Sequence, residues 1–414
     1  MKTLDESIKQ IAEEIKGKEA ETLSSELVRL GAKKLIEQLL EAEVCERLGR
    51  SSYERRAAAS RGYRNGYKRR NFDTGEGRIK IELPQVRDLE TTYQSKLWQA
   101  MGNRTELLEQ LVIEMYARGL STRDIEDTLK ELGSEGLLSK SSVSRVTEQL
   151  WEQYQEFSTR DLSGYDIVYL FADAVYESLR QQAGVKQAVL VSWAMLSDGS
   201  KVLIHMGLGN KESYDDWLDH FRDLTRRGLI SPITVTTDGA PGLIKAVEAM
   251  WPEAERIRCW AHKMRNVLEK APEEVKAQVR AWLELVREAP DYQTGKQIAE
   301  LVIAYLSDYP SALASFEQDL EASLSHLKLP AIHRKHIRTT NLIERSFLEE
   351  RRRAKVIPRF RCEKECLKLV FATLWRASER WRKVSFTEHE QRVINRFIEQ
   401  RNALRRTAPV KTIA

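Results

Sequence analysis

Apolar residues recur near the 3.6-residue period at Leu27, Val28, Leu30, Leu35, Ile36, Leu39, Leu40, Val44 and Leu48, which predicts a helix over 4–50 stopped by Gly49 and Ser51. A polar, arginine-rich stretch follows, in which only 78–83 alternates like a strand, with Pro84 expected to end it. Residues 105–155 return to helical spacing: Leu107, Leu108, Leu111, Val112, Met115 and Tyr116 form one face, closed by Gly119. Ser121 is placed to cap a second helix, and 139–146 opens a third after Gly133 and Gly136, the layout of a helix-turn-helix with a long connection.

Beyond the polar stretch 160–165 the period changes. Continuous apolar runs at 167–172, 188–196 and 202–208 read as strands, the first ending in Asp173 and the second followed by a turn at 197–200. A helix at 213–227, a strand at 233–237 ending in Asp238-Gly239, a helix at 240–250 and a short strand at 256–259 follow. Hairpin spacing first and alternation with helices afterwards imply an α/β fold with a mixed sheet flanked by helices. From 262 to 328 the strand signal vanishes, and helical runs at 273–288, 292–307 and 311–327 are separated by Pro290, Pro310 and Pro330. A basic helix near 341–355 and a last helical region at 363–406 complete the pattern.

Charge placement changes the picture more than charge sum. The 414 residues carry a net charge of only +5, yet 54–80 holds seven arginines and two lysines against Glu54, Asp73 and Glu76, a local balance of +6. Tyr63, Tyr67 and Phe72 are interleaved with these cations, the pairing of phosphate neutralisation with stacking that nucleic acid rewards. Arg61, Arg64, Lys68, Arg69 and Arg70 are therefore candidate DNA contacts, with Arg351, Arg352 and Lys355 on the later basic helix. Ser142 and Arg145 open the third helix of the helix-turn-helix, where side chains reach base edges. Apolar residues at 42% and charged residues at 31% fit folded domains rather than a disordered or fibrous chain. Four cysteines are too few for a disulfide scaffold and suit a reducing compartment. No uncharged apolar run approaches a membrane span, and the first residues lack the apolar core of a signal peptide.

Asp173 and Asp238 each close a predicted strand, and if those strands are neighbours the carboxylates lie side by side and call for a divalent cation. Either aspartate alone also fits a turn former or helix cap. Glu344 is a third carboxylate offered from a helix, although Asn341 followed three residues later by Glu344 equally reads as a capping box. Cys259 and His262 form a C-x-x-H pair, whose plainer reading is a core cysteine and a helix-opening histidine. A zinc site would need two further ligands, and the Cys362/Cys366 and His333/His336 pairs have only helical spacing. Phosphate-binding loops, dinucleotide turns, serine-nucleophile elbows and H-E-x-x-H are missing, so nucleotide hydrolysis, dinucleotide redox and serine hydrolysis lose their usual support.

Taken in order, Gly62-Tyr63-Arg64-Asn65-Gly66-Tyr67, Asp173, Thr237-Asp238-Gly239-Ala240-Pro241-Gly242, Cys259-Trp260-Ala261-His262-Lys263-Met264-Arg265-Asn266 and Thr339-Thr340-Asn341-Leu342-Ile343-Glu344-Arg345 resemble the bacterial insertion-sequence transposases of the Mutator type, over about 20–385. The resemblance implies a ribonuclease-H-like core with an Asp-Asp-Glu triad, here Asp173, Asp238 and Glu344, interrupted by an all-helical insertion. It implies a mostly helical, basic N-terminal region for DNA binding and dimerisation at 1–100, a helix-turn-helix DNA-binding domain at 101–158, the core at 159–264 and 338–385, the insertion at 265–337 and a C-terminal helix and tail at 386–414. It further implies Mg2+ or Mn2+, two ions per site and no zinc, with Asp173, Asp238 and Glu344 as ligands and His262 near the scissile phosphate. Double-stranded DNA is the implied partner, as terminal inverted repeats and target, bound by a homo-oligomer, a dimer, in the bacterial cytoplasm at the nucleoid. Glu177 departs from the family pattern, standing where a basic or apolar residue is expected. Two rival readings share the core: a DNA-binding regulator without activity, against which the three carboxylates speak, and a nuclease without strand transfer.

Overall fold

A computed structural model describes residues 13, 20–51, 54, 62–89, 91–131, 137–179, 186–209, 211–355, 357 and 360–407. The chain forms two units, 1–149 and 150–414.

In the first unit the helix Ala20–Leu48 turns Ile36 and Leu40 onto a two-stranded antiparallel ribbon, β1 (Tyr63–Thr74) and β2 (Gly77–Arg87). Phe72, Ile79 and Ile81 complete that small core. The sequence pattern revealed only part of β2. Gly66 through Asn71 are exposed, so β1 is held by backbone pairing and shows no apolar alternation. Pro84 does not end β2 but pairs with Tyr67 inside it; each strand of a two-stranded ribbon has a free edge, where a missing N–H costs nothing. The expected mostly helical N-terminal region thus contains a hairpin. Glu106–Ala117, Thr122–Glu131 and the start of Lys140–Thr159 share a second core of Leu108, Val112, Ile125, Leu129, Val143 and Val146. Ser121 caps reciprocally: its Oγ accepts the Asp124 N–H at 3.1 Å and its own N–H donates to Asp124 Oδ2 at 3.0 Å.

The second unit is built on a five-stranded mixed sheet in the order β5-β4-β3-β6-β7, comprising β3 (Ile167–Ser178), β4 (Lys186–Leu196), β5 (Lys201–Gly209), β6 (Thr234–Thr237) and β7 (Glu255–Arg258). β3, β4 and β5 are antiparallel, whereas β6 runs parallel to β3 and β7 parallel to β6. Alternate residues of β3 serve opposite faces. Leu170 and Ala172 join Trp217 and Phe221 of the helix Tyr214–Arg226 and Leu243 of the helix Pro241–Met250. On the other parity Phe171 stacks on Trp193 at 3.8 Å, Tyr169 hydrogen-bonds His333, and Asp173 and Glu177 follow.

The stretch from Trp260 to Leu327 is helical and carries its own core, including Trp260, Val267, Leu283, Val302, Phe316 and Leu327. The last helical region, expected at 363–406, consists of two helices, Glu363–Glu379 and Glu388–Thr407. Thr387 and Glu390 restart the helix as a capping box, Thr387 N–H donating to Glu390 Oε2 at 2.7 Å and Glu390 N–H to Thr387 Oγ1 at 3.4 Å.

Glu177 meets Glu350 of the helix Asn341–Ala354 inside this unit. Glu350 is fully buried and Glu177 is 9% exposed, with Lys186, Arg351 and Cys366 nearby. Burial raises both carboxyls above the ordinary glutamate range, and for Glu350 the neighbouring Glu177 adds to it. A raised folded-state pKa contributes stability that is present at low pH and lost as the pH climbs from the ordinary value of 4.5 through the raised one. Thermal unfolding between pH 5 and 9 should therefore show wild-type stability falling by up to about 1.4 kcal/mol per pH unit, a slope that Glu350→Gln flattens while stabilising the alkaline end. Equal slopes in both proteins would show that the Glu350 carboxyl is not raised by its burial beside Glu177.

Candidate active site

Asp173 does not end its strand. β3 continues to Ser178 against β4, with Asp173 opposite Val191, whereas the parallel pairing with β6 stops at Ala172 and Thr237. Asp173 and Asp238 therefore emerge on neighbouring strands one residue past their last shared rung. Asp173 is only 5% exposed. Its Oδ1 accepts the Ala174 N–H at 2.8 Å, while Oδ2 is buried without a hydrogen-bond partner. Asp238 Oδ1 accepts the Ala240 N–H at 3.0 Å, which shapes the turn into the next helix. Gly239 has φ +90°, and a Cβ there would lie 1.4 Å from Arg258 Nη1. The buried Arg258 guanidinium thus packs directly over this turn, beside Asp238.

Glu344 reaches the site through a set of long-range hydrogen bonds. Thr340 donates from its N–H and its hydroxyl to Cys259 Sγ, at 3.3 and 3.4 Å. Thr236 Oγ1 donates to the Ile337 carbonyl at 2.6 Å, and Trp260 N–H to the Arg338 carbonyl at 2.8 Å. These bonds tie the segment before the helix Asn341–Ala354 to the ends of β6 and β7. The capping-box alternative for Glu344 does not hold: Thr340 is the cap, without a side-chain bond, and Asn341 is already helical. Glu344 Oε1 instead lies 3.1 Å from His262 Nε2 and 3.7 Å from Arg265 Nη2. The histidine contact is close but not aligned as a hydrogen bond, leaving Glu344 Oε1 and His262 Nδ1 buried and unpaired.

One ligand atom each from Asp173, His262 and Glu344 lies within 4.8 Å of the others, the only such group among the described residues. Asp238 flanks this group rather than joining it. Cys259 stays out of it, since its thiol is committed to Thr340. Burial above all, and then Asp238, hold the Asp173 carboxyl well above the usual range. A further acid was missed in the sequence: Glu212, in the short link before the helix Tyr214–Arg226. Burial and then Asp238 push it up to about 7, and Tyr176 donates to its Oε2 at 2.8 Å. Nothing in the pattern marks it, because a polar residue before a Ser213 helix cap reads as ordinary loop.

The profile described as Transposase, Mutator family matches residues 3–384. The transposase for insertion sequence element IS6120 of Mycolicibacterium smegmatis is 36% identical over 276 residues, 66% of this chain and 84% of that protein. The transposase for ISRM5 of Rhizobium meliloti (strain 1021) is 31% identical over 350 residues, 84% of this chain and 86% of that protein. The transposase for IS256 in transposon Tn4001 of Staphylococcus aureus is 28% identical over 348 residues, 83% and 88%. The chain belongs to the Mutator family of transposases.

The expected DNA contacts of this Mutator-family protein fall into different settings. Arg61 lies outside the described residues. Lys68 and Arg70 are exposed on β1, and Arg69 is exposed beside Glu82 at 3.5 Å. Arg64 is instead turned toward the helix Ala20–Leu48, 3.7 Å from Glu41 and donating to Cys45 Sγ at 3.0 Å, which makes it a brace for the hairpin. Ser142 and Arg145 stand at the start of their helix, Arg145 donating to Ser142 Oγ at 3.3 Å. Arg351, Arg352 and Lys355 are exposed, with Arg352 paired to Glu349 at 2.6 Å.

Gly239 offers a direct check on this arrangement. Gly239→Ala should cost about 1–3 kcal/mol for the left-handed backbone and more for displacing Arg258. Combined with Arg258→Ala, the clash disappears, so denaturant unfolding should give a double-variant cost below the sum of the two singles. Strict additivity would mean that Arg258 does not pack on this turn.

Proposed function

We propose that this protein is a DNA transposase of the Asp-Asp-Glu type, with a ribonuclease-H-like core, that binds the terminal inverted repeats of its own insertion sequence and performs phosphodiester hydrolysis followed by strand transfer. The observation that carries this reading is the convergence of Asp173, Glu344 and His262 beside Asp238, with Asp173 Oδ2 and Glu344 Oε1 buried and without a hydrogen-bond partner. Buried oxygens without donors are unfavourable in a bare site and suit a hard divalent cation.

The residues fit Mg2+ or Mn2+. Asp173, Asp238 and Glu344 offer the oxygen ligands that these ions prefer, and imidazole is a poor ligand for Mg2+. When bound, two such ions would activate the nucleophile, water in the hydrolysis and the freed 3′-hydroxyl in strand transfer, and stabilise the leaving oxygen. His262 is left to steer Glu344 and to donate a hydrogen bond to a phosphate oxygen as charge builds there. Arg265, 54% exposed next to Glu344, adds a positive charge on the side from which DNA approaches. Lys68, Arg69 and Arg70 supply sequence-independent phosphate contacts, and the helix opened by Ser142 and Arg145 reads the element end. The segments Thr237–Ala240 and Thr339–Arg345 carry the match to the family pattern at these positions, which favours an active enzyme over a regulator without activity.

Asp173→Asn, Asp238→Asn and Glu344→Gln should each abolish cleavage of DNA carrying the element end, with end binding near wild type; normal cleavage by any of them would remove that residue from the site. Because Asp173 holds its proton unusually tightly, Mn2+ affinity measured by calorimetry should weaken as the pH falls, with a proton released on binding. Affinity that stays flat across that range would separate Asp173 from the ion.

The exposed cations of β1 predict a different readout. Lys68→Gln with Arg70→Gln should flatten the salt dependence of duplex binding by about 0.9 units of log–log slope per lost phosphate contact. Unchanged affinity and slope would make this face of the hairpin merely solvated.

A further inference from the structure

A basic groove of about 460 Å³ runs between the helices Asn341–Ala354 and Glu363–Glu379. It begins at the turn that carries Glu344. One wall is a single face of the first helix, on which Arg345, Glu349 and Arg353 follow each other at four-residue intervals. The facing wall presents Arg376 in the last turn of the second helix and Arg380 just past its end. Lys201 of β5 closes the floor. Six cations line this groove, Arg382 included, and Glu349 is the one acid among its lining residues. Glu349 is already engaged by Arg352 and Arg353 at 2.6 and 2.7 Å. Burial and then the neighbouring Arg380 press Arg376 below its usual pKa, against the opposing pull of Glu379.

Trp381 also lines the groove, half-buried, with its ring 5.5 Å from Trp193 of β4. The segment that holds it is fastened to the turn between β4 and β5. Val384 N–H donates to the Gly199 carbonyl at 2.9 Å, and Lys383 pairs with Asp198 at 2.7 Å. An aromatic face held rigid among arginines is the recognition chemistry of a single nucleic-acid strand, phosphates on the cations and a base on the ring.

We propose that this groove binds a single DNA strand adjoining the bond to be broken, with Arg376 and Arg380 on its phosphates and Trp381 stacked on a base. The proposal rests on the DNA-processing reading of the neighbouring carboxylates and extends it by assigning the path of the strand. None of the DNA contacts expected from the sequence belongs to it.

The test uses the full-length protein in metal-free buffer and a fluorescent oligothymidylate, read by anisotropy over a salt series. Arg376→Gln with Arg380→Gln should weaken binding and flatten the salt slope by about 0.7 per lost contact, the single-strand value. Trp381→Leu should weaken it by several-fold to about a hundredfold with the slope unchanged, because stacking releases no counterions. Should Trp381→Leu unfold, the arginine pair decides the outcome alone. Wild-type affinity and slope in the arginine pair would overturn the proposal, as would a loss confined to duplex DNA. The two readings fail separately: retained oligothymidylate binding with cleavage still abolished by Asp173→Asn removes the groove alone. Lost binding in the arginine pair, with a wild type that cleaves no DNA in Mg2+ or Mn2+, removes the catalytic reading alone.

Discussion

A carboxylate buried in the middle of a sheet strand is the constraint on which the second unit turns. Asp173 is flanked by fully apolar neighbours in β3, and its carboxyl has a single backbone donor. Ionising such a group costs several kcal/mol in the absence of a cation. The second aspartate on the adjoining strand makes that cost larger, and Glu212 adds another acid at the edge. A site of this kind is unfavourable when bare and favourable when a divalent cation occupies it, which is the electrostatic logic behind the proposed function.

Holding the site open is the task of polar contacts that span long stretches of chain. Thr340 lies 81 residues beyond Cys259 and donates twice to its sulfur, and Ile337 lies 101 residues beyond Thr236 and accepts from it. Between these anchor points the chain builds a separate helical core around Phe316 and Leu327 before returning. The helical stretch can therefore be long without disturbing Glu344, because its two ends are stitched at the sheet. The C-x-x-H pair divides its labour here: Cys259 secures the returning segment, and His262 meets Glu344.

Charge is distributed in the same economical way. The first unit keeps its cations on an exposed hairpin strand, and the second concentrates arginines on facing sides of two helices. Other cations are structural instead, and of Arg64 and Arg258 only Arg64 stood out in the sequence. Arg64 braces the hairpin against its helix, and Arg258 covers the Gly239 turn. A positive residue in a basic run is thus not by that fact a DNA contact; its neighbours decide.

Hydrophobic period alone determined most of the element order, because the strands of the sheet are buried on both faces and the helices carry clear apolar stripes. It put Asp173 and Asp238 each at the end of an apolar run, but the parallel pairing of β3 with β6 is what makes those two strands neighbours. It did not reveal β1, whose exposed residues 66–71 leave no apolar rhythm, nor the break before Glu388, which a capping box and not a breaker residue creates. The role of Glu344 was open in the sequence, because helix capping and site formation demand the same residue at the same spacing. The tertiary structure removes the capping arrangement, since Thr340 is the cap, and brings His262 to 3.1 Å from Glu344. Glu212, the Glu177–Glu350 pair and the arginine groove were likewise decided in three dimensions. Each depends on side chains from segments far apart in the chain, and a local pattern of polar and apolar residues carries no information about which distant surfaces will meet.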